Sequence, residues 1–291
     1  MKLFRRRRRI DLIFLGGLFT VIAILGWGSY LRAHQNALDW GLVEAAYRGR
    51  FAAANDLLQS GANPNASTER SGHKPLTLLD HIKALFEHDS GKKRETALQW
   101  AIGNGHMDVA KLLLGKGATG VNALDPARIF KGEHLLHSAV RSGDPYLVAA
   151  LLDRGADINV RDWIKDTPLH YAVSWKKPEM LKLLLERGAD PNAEDVQHRT
   201  VLQNALFATP RPVIGVLIDH GADVNKKCQS GARPLFYAIQ LGRASTVELL
   251  VRKGADVNAR GRLGKTTALA YARQLKRKDV IGILESAGAR L

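Results

Sequence analysis

Several groups of residues in this chain have the types, and part of the spacing, that chemistry needs. Gly261-Arg262-Leu263-Gly264-Lys265-Thr266-Thr267 ends as a phosphate-binding loop ends. Such a loop wraps phosphate oxygens in successive backbone N–H groups and needs a glycine five residues before its Gly-Lys-Thr. Ala259 stands there instead. His81 and His88, with Asp80, Glu87 and Asp89 beside them, offer metal-ligating atoms, but the two rings are seven residues apart. Two ligands on one helical face need a spacing of three or four. His134 and His137 have that spacing, yet an isolated pair is a weak signal for a metal. Cys228 is the only cysteine. No internal disulfide is possible, which leaves a free surface thiol or a bridge to another molecule. No Ser-His-Asp or Cys-His set stands out, because geometry and not chain order defines such sites. No catalytic residue, cofactor or metal is therefore expected.

The elements that would have to position any of these residues announce themselves by repetition. Gly-Ala pairs begin at Gly61, Gly117, Gly155, Gly188, Gly221, Gly254 and Gly288. Twenty-one residues before each lie Trp40, Thr96, His134, Thr167, Thr200, Arg233 and Thr267, which open a Thr-Pro-Leu-His-like tetrad. Leu fills the third place of every unit (Leu42, Leu98, Leu136, Leu169, Leu202, Leu235, Leu269) and Ala the sixth (Ala45, Ala101, Ala139, Ala172, Ala205, Ala238, Ala272). A further Leu stands four before each Gly, from Leu57 through Leu113, Leu151, Leu184, Leu217 and Leu250 to Leu284. The Gly-to-Gly step is 33 from Gly155 to Gly254. A period in this range marks a stacked array whose units cannot bury their apolar faces alone.

Each column has a physical reason. A proline at the first helical position gives up a donor that would lack a partner anyway, and a Thr before it is placed to cap the helix start. The Leu columns supply a buried stripe at helical spacing, and the small Ala lets helices approach. Gly after the second helix accepts the left-handed conformation that ends it.

Asp166-Thr167-Pro168-Leu169-His170-Tyr171-Ala172 with Gly188-Ala189-Asp190-Pro191-Asn192, and Arg233-Pro234-Leu235-Phe236-Tyr237-Ala238 with Gly254-Ala255-Asp256-Val257-Asn258, carry the resemblance furthest. The pattern resembles the ankyrin repeat. The resemblance covers about residues 36–291 and implies an all-α repeat solenoid of helix-turn-helix units with β-turn connections. It also implies that the Asp and Asn after each Gly-Ala hold the turn by side-chain bonds. Thr119 and Gly120 replace that pair in the second unit. The family uses the tetrad's fourth residue, His137 and His170 here, for hydrogen bonds between units. That reading competes with metal binding at His134 and His137 and prevails over it.

The period is broken once at length. After Gly61 the step to the next tetrad is 35 instead of 12, an insertion at about 70–93. Pro75 opens a run in which Leu78, Ile82, Leu85 and Phe86 share one helical face. An added amphipathic helix either packs back on the array or forms part of a partner site.

The N-terminus is of another kind. Residues 1–11 form a basic tail with Arg5 to Arg9, and 12–31 an apolar segment ending near Trp27 and Tyr30. Nineteen uncharged residues, Leu12 to Tyr30, span about 28 Å as a helix, just sufficient for a hydrocarbon core of roughly 30 Å. The alternative is a cleaved signal peptide, against which stand the length of the run and the lack of an A-x-A site. Positive flanks stay cytoplasmic. The expectation is therefore a single-pass inner-membrane protein with its N-terminus in the cytoplasm and its array in the periplasm. Residues 1–31 hold six of the 43 basic and one of the 28 acidic residues, leaving 37 against 27 beyond them. That field suits an acidic protein, anionic lipid or envelope polymer. Nucleic acid is disfavoured, since no nucleic-acid motif accompanies the charge, and no small-molecule substrate is expected.

Partner contacts in this family come from turn tips and first helices. Transferred to this chain, those places hold Trp163, Ile164, Asp166, Val196 and Arg199 at the tips and Trp175, Phe207 and Leu241 on the helices. Large apolar groups at a tip usually mark a contact site, and Trp is enriched among binding hot spots. Against this, Trp163 could fold over its neighbouring turn and Trp175 could belong to the core. The expected function is non-catalytic protein–protein interaction at the extracytoplasmic face of the membrane. One alternative is an immunity protein that neutralises an envelope-targeting toxin. Another is a ligand-binding or enzymatic protein using the 70–93 insertion and the array groove.

Overall fold

The computed structural model describes residues 30–69, 94–127, 131–208, 211–261 and 266–291. The basic tail 1–11, the apolar span up to residue 29 and the 70–93 insertion with His81 and His88 lie outside the described residues. So do Arg262 and Lys265 of the loop that resembles a phosphate site. Among the described residues no helix is long and apolar enough to cross a membrane, and no group of three or more His, Cys, Asp or Glu side chains is placed to hold a metal. The chain divides into two compact bodies, Met1–Ala118 and Thr119–Leu291.

In the first body, residues 30–48 are helical and are followed by Phe51–Gln59; the second repeat pairs Ala97–Gly103 with Met107–Gly115. In the second body the pairs are Leu135–Ser142 with Pro145–Asp153, Pro168–Ser174 with Pro178–Glu186, and Val201–Ala208 with Arg211–Asp219. Pro234–Gln240 with Ala244–Arg252 and Ala268–Gln274 with Lys278–Ser286 complete it. Within the second body each first helix packs against its own second helix and against the first helices of its neighbours. The residues in the three sequence columns are all buried except Leu57, which is half-buried. Each buried Leu contributes about 1.5–3 kcal/mol relative to leaving it in water. Since both walls of its pocket come from successive repeats, that contribution exists only in the stack.

The helix starts follow the tetrad chemistry. Thr96 with Gln99 forms a reciprocal box, the Thr96 N–H donating to Gln99 Oε1 at 2.9 Å and the Gln99 N–H to Thr96 Oγ1 at 3.2 Å. Thr200 with Gln203 repeats it. The Ala270 N–H donates to the Thr267 hydroxyl at 3.2 Å. Where the fourth residue is His170, its ring joins the cap: the Thr167 N–H donates to Nδ1 at 3.2 Å.

One feature departs from a purely helical array. Ser67–Glu69 pairs antiparallel with Arg94–Thr96. Single bridges Leu124–His134, Glu194–Thr200 and Arg260–Thr267 occupy the same place in other repeats. The ladder is thus an ordinary hairpin tip drawn out to three pairs, and the 70–93 insertion leaves and re-enters the fold on adjacent strands.

A ladder of asparagines links the repeats of the second body. The Asn192 amide donates to the Gly221 carbonyl at 2.9 Å, and its oxygen accepts the Asp223 N–H at 2.8 Å. Asn225 does the same to Gly254 and Asp256, at 3.0 and 2.9 Å. Within each turn, Asp190 and Asp223 accept the N–H of their own Asn192 and Asn225. The turn at Thr119 and Gly120, which lacks the usual pair, needs a correction. Its Asn is displaced by one residue, and Asn122 makes both bonds, to Gly155 at 3.0 Å and from the Asp157 N–H at 2.7 Å. At the other end of the first helices, Arg243 and Arg277 donate to the carbonyls of Leu206 and Gln240, at 2.7 and 3.1 Å. A cation is favoured there, where the helix dipole is negative.

Candidate partner-binding site

The hairpin tips of the second body are tied side by side through their backbones. The Trp163 N–H donates to the Lys131 carbonyl at 3.1 Å, the Val196 N–H to Ile164 at 2.9 Å and the Gln229 N–H to Gln197 at 3.4 Å. Three of these tips are braced from within by an acidic side chain, Asp125, Asp162 or Asp195. Asp162 Oδ1 accepts the N–H groups of Ile164 and Asp166 at 3.0 and 2.8 Å, and Asp195 accepts those of Gln197 and Arg199. The other carboxylate oxygen takes a donor from the fifth place of the same repeat: Ser138 to Asp125, Tyr171 to Asp162 at 2.9 Å, Asn204 to Asp195 at 3.2 Å.

Cys228 stands in that column, and its expected place on the surface is corrected. It is only 7% exposed, with Sγ 3.0 Å from the Ser230 hydroxyl and 3.1 Å from the Tyr237 hydroxyl, Tyr237 being the fifth residue of its repeat. Burial pushes the thiol up, but the hydrogen bonds from Ser230, Tyr237 and the adjoining backbone outweigh it and hold Cys228 below its ordinary value. The thiol replaces a bracing carboxylate, and that role encloses it.

The fourth tetrad residue joins neighbouring repeats, as the resemblance implied. His137 Nδ1 accepts the His134 N–H at 3.0 Å, so Nε2 carries the proton and donates to the Asp166 carbonyl at 3.1 Å. Burial drives the ring down to about 4, against the bond to Asp166 and the charge of Asp162. His170 is driven by burial to about 4 as well. Gln203 fills the same place with an amide that donates to the Lys226 carbonyl at 2.8 Å. Both nitrogens of His137 are thus engaged by the fold, while His170 forms its hydrogen bonds through Nδ1, within its own cap.

Between the tips and first helices of repeats 3 and 4 lies a cavity of about 370 Å³. Trp163, Ile164 and Trp175 form its rim, with Tyr171, Asp162 and Glu133 deeper in. Trp163 is 65% exposed, yet one face of its indole lies flat over Gly132: a Cβ added there would meet its Cδ1 at 2.1 Å. Trp163 therefore folds over the neighbouring turn and still presents surface to solvent. Trp175, which ends the first helix of repeat 4, is 52% exposed and so is not a core residue. The Arg141 guanidinium sits 6.0 Å from its ring centroid. Arg141 is also paired with buried Glu133, with Asp125 3.8 Å away.

The other residues singled out by sequence fall outward from this centre. Asp166 lines the cavity, half-buried; burial, with the charges of Asp162 and Asp195, holds its carboxyl up at about 7, opposed by Arg199. Val196 continues the exposed tip row, and Arg199 is engaged by Asp195 at 2.9 Å. Phe207 is exposed one repeat along, with its ring edge-on to Tyr237 at 5.1 Å between centroids. Leu241 is half-buried at the end of its helix, away from the cavity. Sequence reasoning missed Asp125, Glu133, Arg141, Asp162 and Tyr171. Asp162 and Asp195, one period of 33 apart, were the available signal for the bracing column. Glu133 and Arg141 carry none, because they meet only when a tip folds back on its own helix.

Comparison with known proteins agrees with this geometry. The family described as Ankyrin repeats (3 copies) matches residues 42–162, 119–195 and 202–291. Rabankyrin-5 of Mus musculus and of Homo sapiens are each 30% identical over 139 residues, 44% of this chain, and the match spans 12% of the length of those curated relatives. The crystal structure of the ankyrin repeat domain of Bcl-3, described as a unique member of the IkappaB protein family, superposes with a TM-score of 0.62 at 29% identity. It covers 84% of this chain and 97% of that one. With its repeat columns buried, its asparagine ladder formed and a matching profile over most of its length, the chain belongs to the ankyrin-repeat family, whose fold is typically a non-catalytic scaffold for protein–protein interaction.

Proposed function

We propose that this chain is a single-pass membrane protein that holds another protein on the periplasmic side through the tips and first helices of repeats 3 to 5. The membrane part of this reading is supported by the apolar run from Leu12 to Tyr30 and the five arginines before it. The binding part is carried by one observation: Trp163, Ile164 and Trp175 are exposed together around one cavity. Clustered apolar groups of that size on a soluble surface usually mark contact with another protein. An immunity role, in which the protein held is an envelope-targeting toxin, is a narrower form of the same reading.

Crosslinked capture from cells making wild type, Trp163→Ala or Trp175→Ala tests the surface. If these are central anchors, each truncation costs about 2 kcal/mol or more of binding, roughly thirtyfold in affinity. Unchanged recovery removes them from the interface. A reporter active only in the periplasm, fused after Leu291, tests the side of the membrane; an inactive fusion with an active cytoplasmic counterpart reverses the topology.

A further inference from the structure

We infer that the cavity between repeats 3 and 4 receives one cationic side chain, a lysine or arginine, projecting from the bound protein. The inference rests on the protein-binding reading above and adds the chemistry of the residue received.

Local charge points to a cation. Beyond residue 31 the chain has 37 basic against 27 acidic residues, yet this cavity reverses that sign. Asp125, Glu133 and Asp162 are buried in or beneath its floor and Asp166 is half-buried on its wall, facing Arg141 and Lys131. The Arg141 guanidinium is already taken up by Glu133, Asp125 and, at 3.1 Å, the Ser138 hydroxyl. Lys131 stands exposed at the rim. Asp162 is satisfied only by neutral donors, the Tyr171 hydroxyl and two backbone N–H groups. The Asp166 carboxylate accepts no hydrogen bond and joins no ion pair among the described residues. Burial, and after it the charges of Asp162 and Asp195, hold its carboxyl up, opposed by the charge of Arg199. A buried carboxylate without a cation is costly, and an incoming cation relieves it.

The aromatic wall suits a cation as well. Indole faces attract cations through their quadrupole. Trp163 offers such a face at the rim, fixed in place over Gly132, and Trp175, which already has the Arg141 guanidinium 6.0 Å from its ring centroid, adds a second aromatic wall. A basic side chain enters such a site with its apolar stem along the rings and its head at the carboxylates.

At about 370 Å³ the cavity is at the small end of the roughly 300–1,000 Å³ of ligand pockets, enough for one long side chain and too small for a helix. An acidic or phosphorylated side chain would meet Asp162 and Asp166 as like charges, and a neutral one would leave them uncompensated.

The test uses the full chain in detergent micelles, the five tryptophan indole N–H signals being read by two-dimensional NMR and assigned with Trp163→Phe and Trp175→Phe. The probes are N-acetyl-arginine amide, N-acetyl-lysine amide and the neutral isostere N-acetyl-citrulline amide. The cationic probes should move the Trp163 and Trp175 signals saturably, and citrulline amide should not. Asp166→Asn, which removes a charge without removing a hydrogen bond, should weaken the cation roughly tenfold. Equal responses to arginine and citrulline amides, or an Asp166→Asn variant that binds as wild type does, would overturn the inference. Partner capture is read on the same variants. Capture that depends on Trp163 while no cationic probe binds leaves the protein-binding reading standing and removes this one. Cation binding with capture indifferent to Trp163 and Trp175 keeps the cavity assignment but removes the partner from it.

Discussion

His137 and His170 make a prediction in which sign and size both follow from geometry. Both rings are fully buried, and burial holds each at about 4 instead of 6.5. The folded state therefore favours the neutral ring. The stability this contributes is complete above pH 6.5 and is lost as the pH falls toward 4. The drop converts to about 3 kcal/mol per ring at the acid end. Asp166 runs the other way, because a carboxyl raised to about 7 contributes stability below its ordinary value and loses it as the pH rises through 7. Acidification thus sets two losses against one partial gain, and wild type should weaken between pH 7.5 and 4.5. The chain itself supplies the control, since Gln203 in the same column reaches the next repeat, at the Lys226 and Ala232 carbonyls, with an amide that does not titrate. His137→Gln with His170→Gln should stay within about 1 kcal/mol of wild type at pH 7.5. At pH 4.5 it should be more stable by about 2–3 kcal/mol per site. Urea unfolding followed by circular dichroism at the two pH values measures this. If the double variant loses as much stability on acidification as wild type, burial does not suppress protonation of these rings and the reasoning fails.

Three further outcomes follow from particular residues. Lys176 and Lys276 hold φ of 52° and 55°, in the left-handed region where the equivalent turns have Gly143 and Gly242. Lys176→Gly should stabilise by about 0.5–1 kcal/mol, read as a shifted urea midpoint, because relief of strain exceeds the added chain entropy. Cys228→Asp restores the acid that braces other tips and should leave thermal stability unchanged or higher, whereas Cys228→Leu, which removes the contacts to Ser230 and Tyr237, should lower it by about 1–2 kcal/mol. Gly132→Ala places a methyl group 2.1 Å from the Trp163 ring at a φ of 66°. It should displace the indole and lower partner capture as much as Trp163→Ala does, and a wild-type level of capture would show that the seating on Gly132 is irrelevant.

Much of the architecture was readable because a repeat writes the same physical requirement several times. The Leu and Ala columns had to be buried on a face shared by neighbours, and they are. The inter-repeat role of His137 was implied by the family resemblance, and its bond to the Asp166 carbonyl bears it out. Two local readings failed for want of tertiary information. Cys228 looked like a surface thiol because turns are usually exposed, and only the tip's own bracing column encloses it. The Thr119-Gly120 turn looked incomplete by residue count, whereas the Gly155 carbonyl accepts from, and the Asp157 N–H donates to, whichever Asn reaches them, and Asn122 does.

The chain's order of residues determined the helical period, the caps, the core columns and the exposed placement of Trp163 and Ile164, since each depends on contacts set by a fixed spacing along the chain. Only the tertiary structure decided that Trp163 and Trp175 flank one cavity, that Gly132 seats the first of them, and that Glu133, Asp162 and Asp166 gather beneath. Those neighbours come from different repeats and from tips of unequal length, so their meeting depends on how one repeat stacks on the next, which no local pattern encodes.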